Sequence, residues 1–156
     1  MELTRLNPND LYTVAENMRE WDKKEIYATR WTDCPHDLVR DAMMSYEFGW
    51  IASHNDRPVC AIGAIPLHPG VWSVWMFATD EFDKIKYSLT KFAARRMKPV
   101  LQSVGHRIEC RSMDGHTDAQ KWLEFLGMTR ESSIPQYGRG NELFHLYAWT
   151  NPNPEK

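Results

Sequence analysis

The run Thr117-Asp118-Ala119-Gln120-Lys121-Trp122-Leu123-Glu124-Phe125-Leu126-Gly127-Met128 decides how this chain is read. Thr117 with Gln120 three residues later has the form of a capping box. Ala119, Trp122, Leu123 and Leu126 then recur at the spacing of one buried helical face. Gly127 stands where a helix ends on a left-handed residue, and Met128 to Pro135 reads as the strand that follows.

Working outward, Arg107 to Arg111 reads as the strand before this helix. Glu142 to Thr150 is the last strand, reached through a loop holding Gly138-Arg139-Gly140. Upstream, Trp50 to Ser53, Pro58 to Leu67 and Val71 to Ala78 are strands separated by the turns His54 to Arg57 and His68 to Gly70. Val71 to Ala78 is apolar on both faces, as a central strand covered on both sides must be. Thr79 to Asp83 is an acidic helix start suited to the helix dipole. Phe82, Ile85, Leu89, Phe92 and Ala93 continue it on one face. Pro99 should kink that helix or begin a new one, having no N–H to donate. In the N-terminal third, Met1 to Leu6 is a short strand and Asn7-Pro8 starts a helix carried by Leu11, Val14, Ala15 and Met18. Trp21 to Trp31 is polar and irregular. Thr32 to Pro35 starts another helix, with Leu38, Ala42 and Tyr46 inward. The order β-α-α-β-β-β-α-β-α-β-β predicts an α/β (α+β) fold: a mixed, mostly antiparallel sheet of about seven strands with about four helices on its two faces. One domain spans residues 1–150, and the tail 151–156 is expected to fray.

The 156 residues suit a single domain. A net charge of −2 argues against a dedicated nucleic-acid binder. The basic set Lys84, Lys86, Lys91, Arg95, Arg96 and Lys98 reads as the solvated face of one long helix. Seven Trp, six Tyr and six Phe supply a core of large side chains, with some left for an interaction surface. Cys34, Cys60 and Cys110 form no disulfide framework, which points to a reducing compartment. With no signal peptide and no apolar run of membrane length, the chain is expected in the cytoplasm of the cell that makes it. Cys34-Pro35-His36 lacks partners at metal spacing, so no metal site is expected. Neither a P-loop nor a Gly-x-Ser-x-Gly elbow is present.

The strand order, together with Ala119 to Met128 and the long helix from Phe82, resembles the GCN5-related N-acetyltransferase (GNAT) fold. In that family an Ala, two bulky residues and a Leu-Gly-Phe ending mark the helix after the fifth strand. A narrower resemblance covers Arg57 to Thr150. Ala61-Ile62-Gly63, Trp75-Met76-Phe77-Ala78-Thr79-Asp80, the charged long helix and the hairpin ending in Leu143-Phe144 are similar to the internal virion protein A family of short-tailed phages.

The GNAT resemblance implies an acyl-CoA N-acyltransferase. Acetyl-CoA would add its pantetheine like a strand against Trp75, Met76, Phe77 and Ala78, and Lys84 and Lys86 would meet its phosphates. Glu109 or a water is the candidate base, and Tyr137 or Tyr147 the candidate acid. Leu123 stands where the family keeps its acidic Tyr. The family's glycine-containing phosphate loop corresponds to Thr79 to Ser88, which has no glycine. Asp80, Glu81 and Asp83 there would repel phosphate. Glu109 also reads as an Arg-paired strand carboxylate; His116, beside Asp114 and Asp118, is a further candidate base that also reads as a loop residue before the helix cap. The phage resemblance implies a protein whose cofactor site has degenerated. It would act with phage structural proteins in virion assembly, in the host cytoplasm and the virion. A host-directed adaptor is the third reading.

Overall fold

A computed structural model of the chain describes residues 1–151. Its strands are β1 (Glu2–Arg5), β2 (Gly49–His54), β3 (Arg57–His68), β4 (Val71–Ala78), β5 (Arg107–Met113), β6 (Thr129–Ile134) and β7 (Phe144–Thr150). They form one seven-stranded sheet in the order β1-β2-β3-β4-β5-β7-β6. Every neighbouring pair is antiparallel except β4 with β5. The mostly antiparallel mixed sheet, with Val71–Ala78 at its centre, is the one expected.

Helices α1 (Pro8–Glu16), α2 (Glu20–Ala28) and α3 (Pro35–Ala42) precede β2. Between β4 and β5 lie a 3₁₀ turn (Asp80–Lys84), α4 (Lys86–Phe92), a π-turn (Ala93–Met97) and α5 (Lys98–Val104); α6 (Thr117–Phe125) lies between β5 and β6. Consecutive strand residues face opposite sides, so one sequence feeds two cores. Ala52, Ile62 and Ala78 pack with Leu89, Met97, Leu101 and Leu126. Ile51, Ala61 and Phe77 pack with Leu11, Val14 and Leu38 of α1 and α3. Helices therefore cover both faces.

The rod from α4 to α5 buries Ile85, Leu89, Ala93, Met97 and Leu101, one residue in every four. In a regular α-helix that spacing drifts about 40° per step, and the stripe would turn away from the sheet. The wider π-turn at Ala93–Met97 unwinds the drift. It also lies just ahead of Pro99, where the hydrogen-bond ladder must open in any case.

Three expectations need correction. Trp21 to Trp31, read as irregular, contains α2, which turns Asp22, Tyr27 and Ala28 inward. The inward Asp22 breaks the apolar period by which helices are recognised. The capping box does not form: the N-cap of α6 is His116, with no side-chain cap bond. Gln120 instead points inward and donates to Met113 O at 2.9 Å. Asn151, placed in the frayed tail, is anchored by its N–H to His106 O and by Nδ2 to Gln102 O; residues 152–156 lie outside the described residues. Gly127 does end α6 with φ +92°, and Met128 N–H bonds back to Leu123 O.

Candidate functional site

β4 and β5 pair only at one end, through Val71↔Arg107, Trp72↔Ile108 and Ser73↔Glu109. Beyond Ser73 they separate, and a V-shaped gap opens between Val74–Ala78 and Cys110–Met113. It lies beside Trp75 to Ala78, against which the pantetheine was expected to add as a strand. At its far end, Ala78 N–H donates to Asp22 Oδ2 at 2.8 Å and Ala78 C=O accepts from Arg19 N–H at 2.9 Å. The Ala78 backbone thus points away from β3 and into the gap. Residues two apart along a strand point the same way, so Met76 N–H and C=O face the gap as well. Opposite, Met113 N–H donates to Glu25 Oε2 at 2.9 Å, and by the same period the Arg111 backbone also faces the gap.

Helix α2 therefore crosses the mouth of the V. Asp22 and Glu25, three residues apart on one helical face, cap the ends of β4 and β5. His116 joins them: Nδ1 is 2.9 Å from Glu25 Oε2, and Nε2 is 3.6 Å from Asp22 Oδ1. Asp22 is itself held by Arg19 through Nε and Nη2. Burial pushes the Asp22 carboxyl above its ordinary value, against the opposing pull of Arg19.

Inside the V is a cavity of about 270 Å³. Its walls include Trp75, Met76, Cys110, Arg111, Trp122 and Tyr137, with Asp22, Glu25 and His116 at the mouth. Burial raises the Cys110 thiol to about 12, which leaves no thiolate at neutral pH. Arg111 Nε is a buried donor without a partner among the described residues. A larger cleft of about 940 Å³ lies beside Tyr27 and Arg139 and meets the gap at Met113. It gathers Glu16, Lys23, Lys24 and Glu142, with Arg139 paired to Asp33.

Of the residues singled out in the sequence, Trp75, Met76 and Tyr137 line the cavity, while Phe77 and Ala78 are fully buried beside it. Tyr137 packs edge-on against Phe144 under the Arg111 guanidinium. Tyr147 is not at the site: it is fully buried and bonded to Arg130. Glu109 is not among the cavity walls either. It is buried and accepts from Arg107 Nε at 2.8 Å and Arg111 Nη1 at 3.3 Å. Lys84 is 3.0 Å from Glu81, which also pairs with Arg57. Lys86 lines a separate groove of about 600 Å³ between α4 and α6, beside the exposed Tyr87 and Phe125. Trp122 is the shared wall of groove and cavity, with Nε1 donating to Thr90 Oγ1 at 2.7 Å. His116, read as a loop residue, is 6% exposed. Its partners Asp22 and Glu25 lie more than ninety residues away and left no local trace.

No family model and no curated protein sequence matches the chain. Solved structures do. Aminoglycoside 6'-acetyltransferase type Ii superposes with a TM-score of 0.69 at 20% identity, covering 99% of this chain and 100% of that one. A GNAT-family acetyltransferase from Bacillus anthracis gives 0.65 at 17%, covering 95% and 93%. Ribosomal-protein-alanine N-acetyltransferase from Brucella melitensis gives 0.69 at 10%, covering 97% and 100%. The fold is that of the GNAT acetyltransferases. Among the described residues no helix is long and apolar enough to cross a membrane.

Proposed function

We propose that the chain is an N-acyltransferase that takes an acyl thioester in the gap between β4 and β5. The unpaired edge carries this reading: Met76 offers an N–H and a C=O where an amide-bearing pantetheine arm can add as a strand. Arg111 Nε, without a partner among the described residues, is the donor assigned to a carbonyl oxygen. When bound, the thioester supplies an electrophilic carbonyl carbon and a thiolate leaving group. Trp75 and Met76 line its place, and Tyr137 is a phenol among the same walls. The arm therefore fits, whereas the diphosphate of coenzyme A meets no cradle. Thr79 to Ser88 lacks glycine, Thr79 Oγ1 already caps Glu81 N–H, and Glu81 neutralises Lys84. Lys86, with Lys121 across the groove, is the basic group left for phosphate.

A second reading draws on that misfit. Trp122 bars the way from the α4–α6 groove to the cavity, and the phosphate segment is acidic. Both suit a phage protein that keeps the fold without the chemistry and works among virion structural proteins.

Calorimetric titration with acetyl-CoA separates the two. Binding in the micromolar range supports the acyltransferase. Trp122→Ala should tighten it about tenfold, the equivalent of one hydrogen bond of ~1.4 kcal/mol. Absence of heat in both proteins at millimolar ligand would remove the acyltransferase reading and turn the search to co-purifying phage proteins.

A further inference from the structure

Glu25 Oε2 accepts from Ser112 Oγ at 3.0 Å, from Met113 N–H at 2.9 Å and from His116 Nδ1 at 2.9 Å. A backbone amide can only donate, so this oxygen acts as an acceptor, and Nδ1 must carry a hydrogen to bond it. In the neutral imidazole the lone pair is then on Nε2. Nε2 lies 3.6 Å from Asp22 Oδ1, too far for a hydrogen bond between them. The two acceptors are close enough to share one donor with several N–H groups.

The ring is held in place. Trp21 stacks on it with centroids 5.5 Å apart and planes 13° apart. Gly115 at φ +92° lets Trp21 approach, since a Cβ there would lie 2.8 Å from the indole. His116 is the N-cap of α6, yet its side chain caps no amide. Its imidazole is thus free of the helix and committed to the mouth of the cavity. Glu109, the carboxylate first considered as base, is not among the cavity walls and is engaged by Arg107 and Arg111.

We infer that His116 Nε2 takes the proton from the ammonium form of the acceptor amine, which Asp22 Oδ1 helps to seat, with Glu25 as the positioning residue; this rests on the acyltransferase reading. One N–H proton moves to Nε2. The nitrogen keeps the electron pair as a neutral amine, and the imidazolium keeps its Nδ1–H on Glu25. The substrate class is a primary alkylamine.

The first test needs no acyl donor. Long-range ¹H–¹⁵N spectra of the whole protein at mildly alkaline pH should show His116 with a protonated Nδ1 and a bare Nε2. Titration with n-propylammonium should shift the Nε2 signal. Glu25→Ala, which removes the acceptor of Nδ1–H, should mix the tautomers while the circular-dichroism spectrum stays unchanged. A proton found on Nε2, or an Nε2 signal unmoved by the amine, overturns the assignment. With acetyl-CoA and propylamine, His116→Gln should lower the rate about 10²–10⁴-fold and leave calorimetric thioester binding intact. An unchanged rate would equally overturn it. Wild-type protein that binds no thioester defeats the acyltransferase reading instead, and the spectra then judge His116 separately.

Discussion

The two ends of the β4–β5 junction satisfy the same backbone groups by different means. At the closed end, Val71 to Ser73 pair with Arg107 to Glu109 through a parallel ladder, with Ile108 fully buried among the core side chains. At the open end the last amides of both strands are met by carboxylates from a single helix, Asp22 on Ala78 and Glu25 on Met113. A ladder needs only backbone and depends little on which residues supply it. Carboxylate caps depend on two particular side chains and on the imidazole between them. Strand separation therefore persists because an adjacent helix supplies the acceptors that a paired strand would have supplied.

The largest effect should come from the closed end. Ile108→Ala empties a fully buried site and should lower stability by about 2–5 kcal/mol, read by urea denaturation. At the mouth, Glu25→Ala leaves Met113 N–H and His116 Nδ1 without their acceptor, and should cost roughly 1–3 kcal/mol in the same assay. Equal losses at the two sites would break the contrast, because the mouth would then be as much a part of the core as the ladder.

The smallest effect is a dependence on pH. Burial holds Asp22 above its ordinary 3.8, so the folded state binds that proton more tightly than the unfolded chain. Its contribution is fully present below 3.8 and is lost as pH rises through the raised value. Asp41, held low by its hydrogen bond from Arg30, and Glu131, held low by Arg107, run the other way: their contributions fade as pH falls. Melting curves of wild type and Asp22→Asn across acid pH should show the difference moving in favour of the variant as pH rises. A constant difference would show that Asp22 does not titrate between folded and unfolded states in that range.

The same contrast explains what the sequence disclosed. Val71 to Ala78 was legible as the central strand because both faces are apolar, and Gly127 as a helix end because its φ of +92° suits glycine. These features are local. Helix α2 was not legible, because Asp22 is turned inward and Glu25 reaches across to β5, interrupting the apolar spacing that marks a helix. Gln120 misled for a related reason: its amide serves Met113 O and Arg130 in the interior rather than the cap of its own helix. Met76 was a candidate through the family's plan and Tyr137 only as a stand-in for the tyrosine that Leu123 replaces; both line the cavity. Glu109 was separated from them by Arg107 and Arg111, neighbours two residues away on the same strand face. Local rules failed where side chains act at long range, which is where a functional site is expected to break them.

The π-turn at Ala93–Met97 carries a consequence for how this chain can change over generations. It accommodates one residue more than a regular turn, and it opens the ladder ahead of Pro99. Removing one residue from it would restore a regular helix and bring the proline ring against the carbonyl four residues before it. Replacing Pro99 alone would close the ladder while the extra residue remained. The two features are therefore mutually dependent: a lineage that loses one gains by losing the other, and pairwise substitution should be better tolerated than either single step.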